Sequence, residues 1–85
     1  MKSFDYVIKD EIGIHARPAG NLAKKAKEFS SVITIAKGDK EAGATKLMAV
    51  MGLGVKCGDT ITVKAEGEDE DAAIAAVKEF IEANL

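Results

Sequence analysis

His15, Arg17 and Pro18 are the only histidine, arginine and proline of the chain, and they lie within four consecutive positions. Apolar residues at helical spacing follow them: Ala19, Leu22, Ala23, Ala26 and Phe29. Proline is well accommodated in the first turn of a helix, where its missing N–H has no intrahelical partner to lose. The pattern therefore places His15 at or just before the amino end of a helix.

The amino end of a helix favours an anion, because its first N–H groups lack intrahelical acceptors and carry the positive end of the dipole. Arg17 adds a permanent cation whose planar fork matches phosphate oxygens. Together with an imidazole nucleophile, these groups predict phosphoryl chemistry on His15. Spacing alone leaves two alternatives open: a capping or exposed histidine without chemistry, and anion binding without a covalent step.

The composition indicates one globular domain spanning residues 1–85, with 47% hydrophobic and 31% charged residues. A net charge of −2 argues against general nucleic-acid binding. The chain shows neither an apolar run of membrane-spanning length nor a signal peptide, so we expect a cytoplasmic location without membrane insertion. Cys57 is the only cysteine and cannot form an internal disulfide. We expect neither a metal nor a cofactor.

Hydrophobic periodicity predicts the element order β-α-β-β-α-β-α. The predicted strands cover 2–9, 32–37, 40–44 and 60–65, and the predicted helices cover 16 or 17 to 29, 46 to 51 or 52, and 70–83. Helices with one apolar face need one apolar sheet face to cover, which predicts an α+β fold with a four-stranded antiparallel sheet and three helices on one side.

Two helix starts carry specific expectations. Thr45 is the predicted N-cap of the short second helix. The acidic run 68–71 is expected to open the last helix, where negative charge complements the dipole, and a metal site is the weaker alternative for it.

Two surface features predict a docking face. Arg17, Gly20, Lys24 and Lys27 follow steps of three and four, so they share one helix face and form a positive strip that would attract an acidic partner. The short second helix has more apolar residues than one buried face needs, which indicates that some are exposed for docking: Leu47, Met48 and Met51. The alternatives are a solvated lysine face and ordinary core filling.

Three segments resemble the HPr family, the histidine-containing phosphocarriers of the bacterial phosphoenolpyruvate-dependent sugar phosphotransferase system. They are GIHARPA at 13–19, LMAVMGLG at 47–54 and AEGEDE at 65–70, and the resemblance covers essentially the full length. It implies an open-faced β-sandwich. It also implies that enzyme I, charged by phosphoenolpyruvate, phosphorylates His15 on Nδ1, with Arg17 as charge partner, and that enzyme IIA components accept the group.

The resemblance further implies a monomeric carrier that forms a covalent phosphohistidine and is not an independent enzyme. It assigns the docking face to seven residues: Ala16, Gly20, Lys24, Lys27, Leu47, Met48 and Met51. The alternative is an HPr-like regulatory module that docks partners without relaying a phosphoryl group.

Two positions depart from the family pattern. Lys46 occupies the place where many members carry a regulatory serine, and a lysine offers no hydroxyl to a serine kinase. Ile12 replaces a small polar residue often found beside the active histidine. One hydrogen bond to the imidazole or phosphate is thereby lost.

Overall fold

The computed structural model describes residues 2–11 and 16–85, and it has the predicted element order. The elements are β1 (Lys2–Val7), α1 (Ala16–Ala26), β2 (Val32–Lys37), β3 (Lys40–Gly43), α2 (Leu47–Gly52), β4 (Thr60–Glu66) and α3 (Glu70–Asn84). The predicted residues Ile12, Gly13, Ile14 and His15 lie outside the described part of the chain.

All strands pair antiparallel in one sheet of order β1-β4-β2-β3. One sheet face carries alternating apolar residues, among which Ile61, Val63 and Ile35 are fully buried. The helices contribute Leu22, Val77 and other residues to the same core. Burying each such side chain contributes about 1.5–3 kcal/mol. The predicted open-faced β-sandwich is confirmed.

The other face of the sheet is open and polar. Thr62 Oγ1 donates to Asp5 Oδ1 at 2.7 Å, and Lys64 Nζ lies 3.2 Å from Glu41 Oε1. Val32, the first residue of β2, lies on this face and is 67% exposed.

Three predicted element ends were too long, and the smallest difference is at β3, which ends at Gly43 rather than at Ala44. α1 ends at Ala26 rather than Phe29, because Glu28 N–H and Phe29 N–H donate to carbonyls three residues back, which tightens the last turn. β1 ends at Val7 rather than Lys9, because the N–H of Lys9 donates to the carbonyl of Leu85 instead of to β4.

Thr45 is not the N-cap of α2, contrary to prediction. The cap is Lys46, which has extended backbone angles (φ −105°, ψ 90°) and makes no side-chain capping bond. Its carbonyl accepts the N–H of Val50 at 3.0 Å, so the helix begins one residue later than expected, at Leu47. At the other end of α2, Gly54 has a φ of +66°, which ends the helix in the left-handed region.

The acidic run opens α3 as predicted, with Glu70 and Asp71 in the first turn. Asp69 is the N-cap residue of α3, but its side chain makes no capping hydrogen bond to that helix. Its carboxylate accepts the N–H of Ser30 at 3.0 Å and of Ser31 at 2.9 Å, together with the Ser31 hydroxyl. Asp69 thus ties the start of α3 to the connection between α1 and β2.

Candidate functional site

The amino end of α1 is the first component of the site. Ala16 and Arg17 are exposed, whereas Pro18 and Ala19 are buried against the core side. Proline is therefore the third residue of the helix, where its missing N–H costs no hydrogen bond. The first turn contains no acidic residue, and the positive end of the helix dipole favours an anion there.

Arg17 lines a shallow cavity of about 230 Å³ at this helix end, with Asp10, Pro18, Asn21 and Asn84 as the other lining residues. Within residues 2–11 and 16–85, no carboxylate lies at salt-bridge distance from the Arg17 guanidinium. A guanidinium has a planar fork of N–H donors that matches the oxygens of a phosphate or carboxylate.

The chain entering this region is held on two sides. The N–H groups of Lys9 and Asp10 both donate to the carbonyl oxygen of Leu85, at 2.6 and 2.8 Å. One residue earlier, Ile8 N–H donates to the Asp59 carbonyl at 2.9 Å. His15 itself lies outside the described residues, which resume at Ala16, the first residue of α1.

The lysine strip lies only partly on the helix. Lys24 is an exposed residue of α1, while Lys27 follows the end of the helix and its N–H donates to the Ala23 carbonyl at 3.1 Å. Both side chains are exposed, so both can attract an acidic surface. Lys25 differs, since it lies 3.8 Å from the carboxylate of Glu28.

The apolar residues predicted on α2 divide into two groups. Met48 and Leu47 are 76% and 37% exposed. Met51 is half-buried and packs against the core around the fully buried Val50. α1 and α2 contact each other.

One protein-family model matches residues 2–83 of this chain. Its description is the phosphorylation site of the HPr component of the phosphotransferase system. The chain belongs to the HPr family.

Relatives and solved structures agree with this membership. Phosphocarrier protein HPr of Mycoplasma capricolum is 46% identical over 79 residues, covering 93% of this chain and 89% of that protein. The HPr of Mycoplasma genitalium is 45% identical over 85 residues, covering 99% and 97%. The structure of a mycoplasma histidine-containing phosphocarrier protein superposes with a TM-score of 0.93 at 43% identity, covering 96% of this chain and 93% of that one.

Two other expectations concern membrane insertion and the single cysteine. Among the described residues, no helix combines the length and apolarity needed to cross a bilayer. Cys57 is exposed, and its Sγ lies 3.8 Å from the carbonyl oxygen of Lys9.

The sequence pattern did not predict the residues of α3 that lie next to Arg17 and to the chain at Lys9 and Asp10. Asn84 joins Arg17 in lining the cavity, and Leu85 binds the backbone at Lys9 and Asp10. The helical spacing of α3 predicted that its apolar face packs on the sheet. It carried no signal for where the helix would end relative to α1, because that depends on the packing of elements far apart in sequence.

Proposed function

We propose that this HPr family member, a phosphocarrier of the phosphotransferase system, accepts its phosphoryl group on His15 from enzyme I and passes it to enzyme IIA components. The observation that carries the proposal is the match of residues 2–83, a range that contains the segment GIHARPA, to the family's phosphorylation-site model. The exposed guanidinium of Arg17 at the amino end of α1 supports it.

In the proposed transfer, a neutral His15 ring nitrogen attacks the phosphorus carried by phosphorylated enzyme I. A new N–P bond forms as the bond between phosphorus and the donor atom of enzyme I breaks, and the electron pair of that bond stays with the donor atom. An unperturbed histidine has a pKa of about 6.5, so the neutral nucleophile is available at neutral pH.

A carrier must release the phosphoryl group as readily as it accepts it. The amino end of one helix stabilises a neighbouring anion by about 0.3–2 kcal/mol, which orients the group without trapping it. Arg17 adds charge-assisted hydrogen bonds from a side chain that the structure leaves exposed. These two contributions favour a reversible adduct.

The proposed docking face combines the first turns of α1, the two lysines and the exposed side of α2. Its residues are Ala16, Gly20, Lys24, Lys27, Leu47, Met48 and, at its half-buried margin, Met51. An apolar centre with cationic neighbours fits a partner surface that is apolar in the middle and acidic at its edge.

Lys46 lies at the start of α2 on this side, exposed to solvent. Because lysine has no hydroxyl, we propose that position 46 is not a phosphorylation site and that the face stays positive in all states. We further propose that the protein acts in the cytoplasm as a carrier without cofactor or metal and is not an independent catalyst.

The proposed state is a monomer. One HPr of Thermoanaerobacter tengcongensis, 41% identical to this chain, has been solved as a dimer with a TM-score of 0.77. Sedimentation of the free protein at micromolar concentration would give the mass of one chain if the proposal holds.

The decisive test is incubation with enzyme I and phosphoenolpyruvate, followed by mass spectrometry. We expect one acid-labile phosphoryl group on the wild-type chain and none on His15→Ala. Equal labelling of both proteins would contradict the assignment of His15. A wild-type chain that stays unlabelled, while still binding enzyme I, would identify it as a docking module without relay.

A further inference from the structure

Lys37, the last residue of β2, makes two contacts with the chain that follows α2. Its Nζ donates to the carbonyl oxygen of Gly54 at 2.9 Å and lies 2.9 Å from Asp59 Oδ2. The side chains of Lys37 and Asp59 are 33% and 32% exposed. A charged donor binds a carbonyl oxygen more strongly than a neutral one does, and partial burial lessens the screening of the ion pair. We call Lys37, Gly54 and Asp59 the Lys37 clamp.

Both charged residues of the clamp are held by the sheet and by the chain beside it. Lys37 pairs with Lys40 in the hairpin of β2 and β3. Asp59 Oδ2 also accepts the N–H of Lys56 at 2.8 Å, and the Asp59 carbonyl accepts the N–H of Ile8 at 2.9 Å. The clamp therefore ties the carbonyl of Gly54 to the sheet.

The carboxyl end of α2 depends on this attachment. Gly54 lies two residues beyond the end of α2, a helix of six residues in which Val50 is the buried one. A helix this short is not stable by itself, so contacts with the rest of the protein must hold it. Leu53 and Val55, on either side of Gly54, are buried and hold the backbone as well. Loss of the clamp should thus loosen this end of α2 without releasing it.

We propose that Lys37 is a positioning residue for partner docking, acting through Gly54 and Asp59 on the placement of α2. The inference rests on the proposed function and on the proposed docking face, to which α2 contributes Leu47 and Met48. A partner binds only those molecules in which α2 is correctly placed, so a smaller correctly placed fraction weakens the apparent affinity in proportion. Loss of the clamp should therefore raise KM for transfer and leave kcat unchanged.

A direct role of Lys37 as a docking cation is the alternative, and Asp59→Asn separates the two roles. Loss of the carboxylate frees the Lys37 cation from its ion pair. A freed docking cation would attract an acidic partner more strongly and lower KM. If Lys37 acts through the clamp, the same substitution weakens the clamp and raises KM.

The first experiment is a double-mutant cycle of Lys37→Met, Asp59→Asn and their combination, with KM and kcat measured for phosphorylation by enzyme I. Methionine keeps an unbranched apolar side chain at position 37 and removes the cation. We expect KM to rise about three- to fivefold for Lys37→Met and less for Asp59→Asn, with no further rise in the double variant and wild-type kcat throughout. Additive effects, an unchanged KM for Lys37→Met, or a lower KM for Asp59→Asn would overturn the proposal.

Lys40→Met is the matched control for the lost charge. Lys40 lies opposite Lys37 in the same hairpin and is exposed. No carboxylate among residues 2–11 and 16–85 lies at salt-bridge distance from it. The control removes one cation and leaves the clamp intact, so KM should stay at the wild-type value. An equal rise of KM in the two lysine variants would assign the effect to net charge and overturn the positioning role.

Hydrogen exchange in the free protein, followed by NMR, tests the clamp without a partner. The N–H of Gly54 donates to the Met51 carbonyl at 3.2 Å, so its exchange rate reports on the end of α2. It should rise in Lys37→Met and not in Lys40→Met, while the N–H of Ala44 keeps its wild-type rate in both. Unchanged exchange at Gly54 in Lys37→Met would overturn the clamp. A wild-type chain that enzyme I does not phosphorylate would instead overturn the proposed function.

Discussion

The two ends of α1 differ in how their polar groups are satisfied. At the amino end, Arg17 is exposed and lines an open cavity, and the first turn contains no acidic residue. At the carboxyl end, the N–H groups of Ser30 and Ser31 are bound by the carboxylate of Asp69, 38 or more residues away in sequence.

The backbone also packs more tightly at the carboxyl end. Gly67 has a φ of +154°, and a Cβ built there would lie 2.7 Å from the Cα of Ser31. Gly20, in the first half of α1, has open space at the same position. We infer that the Asp69 corner, defined by Ser30, Ser31, Gly67 and Asp69, stabilises the fold, while the amino end is left available for binding. Substitutions should therefore affect transfer at one end and stability at the other.

The largest effect on transfer is expected for Arg17→Ala. Loss of the guanidinium removes charge-assisted hydrogen bonds to the transferring group, which should slow phosphorylation of His15 about hundredfold. Arg17→Lys should recover part of the rate, because it keeps the charge but not the fork. Initial rates of labelling by enzyme I measure both.

Lys25→Ala is the control for the loss of the positive charge in Arg17→Ala. It removes a cation from the same helix, but one that is paired with Glu28. Its rate should stay close to that of the wild type, and the urea midpoints of all three variants should agree. A large stability loss in Arg17→Ala would contradict the division between the two ends.

At the other end, Gly67→Ala should destabilise the protein by about 3 kcal/mol, since the new methyl group meets the Ser31 backbone at a φ that other residues rarely adopt. The free energy of unfolding is measured by urea denaturation. Phosphorylation of the fraction that remains folded should proceed at the wild-type rate. A variant as stable as the wild type would show that the corner can relax at little cost.

This corner also shows what the sequence could and could not predict. The hairpin of β2 and β3 follows from neighbouring β-branched residues and the Gly38-Asp39 turn, so its position was predicted closely. The acidic run was correctly assigned to the start of α3. The partner of Asp69 was not predictable, because either the helix N–H groups or a distant turn can satisfy a carboxylate at that position.

The positions of the candidate site residues were predictable to a similar extent. Arg17 lies at the helix start that proline and the apolar stripe predict. The positions of Asn84 and Leu85 depend on where α3 ends against α1, and no local spacing encodes that distance. Thr45 was assigned as a cap from its hydroxyl, but the backbone makes Lys46 the cap without a side-chain bond.

The Asp69 corner should make stability depend on pH. The hydroxyl of Ser31, followed by the N–H groups of Ser30 and Ser31, lowers the pKa of the Asp69 carboxyl below the ordinary value of 3.8. A depressed pKa in the folded state gives stability that is present above the unfolded value and is lost as the pH falls through the folded value. Urea midpoints at pH 7, 4, 3 and 2 should therefore decrease towards acid.

Asp69→Asn tests the origin of that decrease. Its urea midpoint should be lower than that of the wild type at pH 7 and should fall less on acidification. Some acid sensitivity should remain, because Lys37 lowers the pKa of Asp59 in the same direction. Asp71→Asn, in the same helix turn and largely exposed, is the control. Parallel curves for Asp69→Asn and the wild type would contradict the assignment.

The docking face should respond to Met48→Ala. Met48 is 76% exposed on α2. If its side chain contacts the partner, its truncation should raise KM for transfer about three- to tenfold, which is within the usual range for interface residues. Val32→Ala removes an apolar side chain of comparable exposure, 67%, from the open sheet face. It should leave KM unchanged. Similar KM values for the two variants would place the docking face elsewhere.

The smallest effect is expected for Gly20→Ala, a substitution that tests partner binding and folding stability at the same residue. Alanine in a helix interior is favoured over glycine by about 0.5–1 kcal/mol, and the structure has room for its Cβ. The urea midpoint should therefore rise. If a partner approaches α1 closely at this point, the same methyl group should raise KM for transfer severalfold, so that the variant gains stability and loses binding. A gain in stability at unchanged KM would remove Gly20 from the docking face and leave the division between the ends of α1 intact.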